Sequence, residues 1–67
     1  MDMHKLKYFM GMNGDTQADL AKALGLPQSA LSARMNGHTA FRQDEINEIR
    51  KRYDLTADEL QHIFFTT

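Results

Sequence analysis

Apolar residues recur along this chain at three- and four-residue intervals. They never alternate with polar residues over a strand-length run. The pattern predicts five short helices and no strand. Leu6, Phe9 and Met10 line one face of a first helix over Met3–Met12, which Asn13-Gly14 ends. A second helix starts at Thr16, where Asp19 completes a shortened capping box. Leu20, Ala21 and Leu24 form its inner face, and Gly25 breaks it. A third begins near Pro27, turns Leu31 and Met35 inward, and stops at Asn36-Gly37. After a loop to Phe41, Ile46, Ile49 and Tyr53 make the inner stripe of a fourth helix over Gln43–Tyr53. Glu48 and Arg52 are spaced there as an i,i+4 pair. The fifth has a full capping box, Thr56 with Glu59, and a hydrophobic staple, Leu55 with Leu60. Ile63 and Phe64 continue its apolar face.

Sixty-seven residues, with no internal repeat or low-complexity linker, predict one domain over residues 1–67. A chain of this size buries only about 60% of its unfolded surface. With no cysteine, neither a disulfide nor a thiolate metal site is available to reinforce it. The cysteine count fits a reducing cytoplasm. The longest apolar run is three residues, too short to span a membrane, and the N-terminus has no signal-peptide pattern. The formal net charge of −1 weighs against a polyanion partner, but its distribution is uneven. Residues 1–42 hold five basic and three acidic side chains, and residues 43–67 hold three basic and six acidic. The first part is the one able to face a polyanion.

Residues 16–37 carry the most informative chemistry. They form two short helices about a Gly-containing turn, the second with small polar residues on its outer side. A helix that enters a DNA groove needs hydrogen-bonding groups at its start, on a face free of core contacts. Gln28 and Ser29 stand there. Gln can bond N6 and N7 of adenine, and Ser can donate or accept. Ser32 follows one turn on, beside Ala33, which suits a thymine methyl. Gln17, Lys22, Arg34, Asn36, His38 and Arg42 are candidate phosphate or minor-groove donors around that helix. Arg42 stands where Ser, Thr or Asp would cap better, and its charge opposes the helix dipole. A locally poor choice points to a use elsewhere. Taken singly, each of these side chains also reads as ordinary helix surface.

Enzyme readings find little support. His4, His38 and His62 are scattered, so no metal site is expected. Asp44-Glu45 and Asp58-Glu59 sit in first helical turns, where acids favour the dipole. No phosphate loop and no nucleophile–base pattern is present, no cofactor is expected, and so small a chain has little room for a substrate pocket. The run Ile63-Phe64-Phe65 cannot wholly face one core, so Phe65 or part of Phe64 needs a cover. A partner subunit or the first helix could supply it, which makes these three residues the candidate dimer interface.

Residues 16–41 resemble the lambda-type repressor and Cro helix-turn-helix family. Gln17, Leu20-Ala21, Gly25, Leu31 and Asn36-Gly37 carry the likeness without a gap, and one helix before and two after fit as well. Arg34 stands where many members have an apolar residue, and is expected to snorkel outward towards the DNA backbone. Pro27 replaces a common Ser or Thr. The resemblance implies an all-α, lambda repressor-like domain acting in a bacterial cytoplasm as a dimer on a near-palindromic duplex operator. Gln28, Ser29, Ser32 and Ala33 would meet base edges, and Gln17, Asn36 and their neighbours phosphates. With no second domain in the chain, a small Cro-like regulator is the first expectation. An excised DNA-binding domain of a larger repressor, or an interaction module that keeps the fold without binding DNA, are the alternatives.

Overall fold

The computed structural model describes residues 1–65, with five helices in the order α1 (Met3–Met12), α2 (Gln17–Leu24), α3 (Gln28–Met35), α4 (Gln43–Tyr53) and α5 (Ala57–Phe64). There is no strand among the described residues. Each helix starts where its local chemistry dictates. The Asp2 carboxylate accepts the His4 and Lys5 N–H groups. Thr16 with Asp19 and Thr56 with Glu59 form reciprocal boxes that satisfy the otherwise orphaned donors of α2 and α5. Pro27 is the residue before α3 rather than its first helical residue. It brings an extended backbone and no side-chain acceptor.

The ends are equally local. Gly25 takes the left-handed conformation at φ 69°, and the Leu26 N–H closes back on the Ala21 carbonyl at 2.9 Å. This is the turn between α2 and α3. Asp54 adopts the same conformation at φ 51° after α4, and the Leu55 N–H returns to the Arg50 carbonyl.

One core joins all five helices. Leu6, Leu20, Leu31, Ile49 and Ile63, one from each helix, are its largest fully buried side chains. The helix faces around them are those that the apolar spacing predicts. Small Ala21, also buried, sits on α2, which packs principally on α3 and also touches α4. The α1–α5 pair closes the other side, and the Asp2 N–H donates to the Ile63 carbonyl at 2.7 Å.

Two departures from expectation concern the ends of the chain and of α4. Ile63 is fully buried, so it belongs to the core and not to a surface available for a dimer. Phe64 is half-buried against Phe41, ring edge to ring face at 5.3 Å. Of the three, Phe65 alone is exposed, at 56% of its surface, so none of the other described residues covers it fully. On α4, Arg52 does not pair with Glu48. It turns to Asp15, while Glu48 faces Lys51 at 3.9 Å.

Candidate nucleic-acid interface

The outer side of α3 follows from its inner side. Leu31 and Met35, four residues apart, are buried against α2, which turns Gln28 and Ser29 out to solvent at the start of the helix. Ser32 and Ala33 are half-buried one turn on. Pro27 gives no side-chain cap, so the first N–H groups of α3 point outward uncapped beside the Gln28 and Ser29 side chains. The start of α3 therefore presents an exposed amide, a hydroxyl and free backbone donors together.

The surrounding donors divide into those that are free to reach out and those already engaged. Lys22, His38 and Arg42 are exposed. Arg42 lies 3.3 Å from Asp44, a pair in which both side chains are 71% exposed. Such a solvated pair holds Arg42 weakly, so redirecting it costs little. Asn36 is exposed and reaches Ser32 Oγ at the long distance of 3.5 Å. Gln17 is half-buried, its amide donating to Met35 Sδ at 3.3 Å, which lays the start of α2 over the end of α3.

Arg34 behaves otherwise than expected. It does not snorkel outward. Its side chain is 13% exposed and Nε donates to Glu45 Oε1 at 2.8 Å, while Nη1 reaches the Ala30 carbonyl. With no acidic partner the guanidinium would have to reach solvent, but Glu45, itself 6% exposed, meets it inside. Arg34 is thus committed to the fold and is not an outward phosphate donor.

Glu45 also explains how α4 starts without a capping side chain. Arg42 has no acceptor to offer, but its backbone N–H donates to Glu45 Oε1 at 2.9 Å, the reciprocal half of a capping box. Glutamate at the third helical position is the one sequence signal that pointed to this, beyond its general fit to the helix dipole.

A second cluster lies at the other end of α4. Asp15, just before α2, accepts two hydrogen bonds from Arg52 and one from Tyr53 Oη at 2.8 Å. The Arg52 bonds hold its carboxyl below the usual range against the opposing effect of burial, and the Tyr53 bond adds to the lowering. Burial and the same carboxylate push the Tyr53 hydroxyl up. Helix α4 is therefore clamped to the α2–α3 unit at both ends, by Asp15–Arg52 ahead of α2 and by Arg34–Glu45 at the end of α3.

A helix-turn-helix family model matches residues 6–60, which takes in all of α2, α3 and α4. The chain belongs to the lambda repressor/Cro-type helix-turn-helix family. The protein is a DNA-binding helix-turn-helix regulator of all-α, lambda repressor-like fold. The lambda repressor/Cro family is one of DNA-binding regulators and not of enzymes. No curated protein and no solved structure matches the chain.

Proposed function

We propose that this helix-turn-helix regulator is a Cro-like repressor that binds a near-palindromic duplex operator as a homodimer. The observation that carries the reading is the start of α3, where exposed Gln28 and Ser29 stand beside uncapped backbone donors. Gln28 and Ser29 would read base edges in the major groove, with Ser32 and Ala33 alongside. Lys22, Asn36, His38, Arg42 and the start of α2 at Gln17 would meet phosphates. Arg34 is left out of that set, because its guanidinium is bound to Glu45.

Size supports the dimer. Half-sites one helical turn apart place recognition helices roughly 34 Å from each other. The described chain has principal extents of 28 × 25 × 20 Å and one α3, so reading both half-sites takes two copies. The exposed Phe65 ring supplies an apolar surface for a partner to cover.

The net charge of −1 favours a second reading, an interaction module on the same fold without DNA binding. Selection of bound duplexes from a random pool, followed by a salt titration on the recovered sequence, separates the two. A repressor should enrich a near-palindrome, and its affinity should fall steeply between low and moderate salt as counterions are released. No enrichment, or binding that is flat in salt, would remove the DNA reading and leave the interaction module.

A further inference from the structure

Among the described residues Glu45 is the one charged side chain that the fold buries. A single oxygen, Oε1, accepts from Arg34 Nε and from the Arg42 backbone N–H. It ties the last turn of α3 to the first turn of α4, across the connection that carries Asn36, His38 and Arg42. As a source of stability this is a costly choice. Removing two charges from water offsets most of their attraction, and a well-packed apolar pair commonly holds helices together as well or better. An ion pair adds direction instead. The guanidinium is planar, and here it is bound at two points, Nε to Glu45 and Nη1 to the Ala30 carbonyl of its own helix. The Ala30 bond is internal to α3 and fixes the guanidinium on that helix, so the Glu45 bond restrains rotation of α3 about its axis in addition to the packing of Leu31 and Met35.

Rotation matters because Gln28 and Ser29 lie on that same helix. With a helix radius of about 5 Å to the side-chain tips, a turn of ~20° moves a tip by roughly 2 Å. A base-edge hydrogen bond does not survive such a shift, whereas a phosphate contact from a long exposed side chain adjusts to it. We infer that the Arg34–Glu45 pair is a positioning device that sets the rotation of α3, and with it the sequence discrimination of Gln28 and Ser29. The inference rests on the duplex-binding reading above.

The test compares wild-type protein with the double variant R34M/E45Q. Methionine fills the volume of Arg34, and glutamine keeps an acceptor for the Arg42 N–H. The probes are a duplex recovered by wild-type selection and a scrambled duplex of the same composition. Circular dichroism should show unchanged helix content. The ratio of affinities for the two duplexes should fall at least about tenfold, the scale of one or two misread base pairs. Affinity for the scrambled duplex, which is set by phosphates, should change by less than about threefold. An unchanged ratio in a folded variant overturns the inference and leaves the DNA reading intact. Equal losses on both duplexes also overturn it, since they mark general damage. If R34M/E45Q does not fold, Arg34→Lys decides. A lysine keeps the charge but not the two-point hold, so discrimination should fall in part, and full retention overturns the inference. If wild-type protein enriches no duplex, the DNA reading fails and the inference falls with it.

Discussion

The Asp15 carboxylate holds the Arg52 guanidinium through two hydrogen bonds, 2.6 and 2.8 Å long, across 37 residues of chain. Asp15 immediately precedes the cap of α2, and Arg52 lies in the last turn of α4. The bond therefore fixes where the α2–α3 pair begins relative to the helix that backs it.

Asp15→Asn should destabilise the fold by about 1–3 kcal/mol at neutral pH, the scale of hydrogen bonds to a charged group. The native carboxyl titrates below its unfolded value, so its contribution is complete above the unfolded value near 3.8 and disappears as pH falls through the lower native one. Urea unfolding should show the gap between wild type and variant at pH 7, and the gap should narrow below about pH 4. A gap that stays constant at acid pH would mean that the charge of Asp15 is not what stabilises the site.

Gly25→Ala isolates the turn between α2 and α3. Nothing lies within 4 Å of a Cβ built at this position, so the substitution meets no clash. The left-handed backbone at φ 69° remains strained for alanine, at about 1–2 kcal/mol. Thermal unfolding should register a destabilisation of that size with helix content preserved. A neutral result would show that the turn relaxes at no cost.

Gln28→Ala tests the base contact proposed for the start of α3. The side chain is exposed, so folding stability should be unchanged within about 0.5 kcal/mol. Affinity for the selected operator should drop by about 1–3 kcal/mol, with preference relaxed at one base pair in each half-site. An equal loss on scrambled DNA would reassign Gln28 to the backbone.

The helices, their caps and the turn are legible in the sequence because each depends on residues a few positions apart. Thr16 with Asp19, Gly25, and Thr56 with Glu59 all act within one turn of themselves. The exposed edge at Gln28 and Ser29 follows from the burial of Leu31 and Met35 on the same short helix. What the sequence hides is long-range partnership. Arg34 and Glu45 are separated by 11 residues and Asp15 and Arg52 by 37, and no local rule pairs them. Local rules instead favour Arg34 as an outward donor and Glu48 as the partner of Arg52, because tertiary contacts compete with i,i+4 spacing and usually win where burial is at stake. Similarly, Ile63-Phe64-Phe65 reads as one apolar run until the direction of α5 sends Ile63 into the core, Phe64 onto Phe41 and Phe65 outward.

Phe65→Glu tests the proposed dimer. The ring is 56% exposed, and its one aromatic contact is a tilted approach to Phe64 at 6.5 Å. Replacing it should therefore leave the monomer fold intact by circular dichroism. If a second copy covers Phe65, the glutamates introduced on the two copies would be brought close to each other or into an apolar seam, and either is unfavourable by several kcal/mol. Sedimentation should then show monomers at concentrations where wild-type protein is dimeric. Binding to a two-fold operator should weaken far more than binding to an isolated half-site, since only the former needs both copies. A variant that remains dimeric would move the seam away from the end of α5. The next surface to probe would then be α1, where Tyr8 and Met12, four residues apart, are exposed on one face.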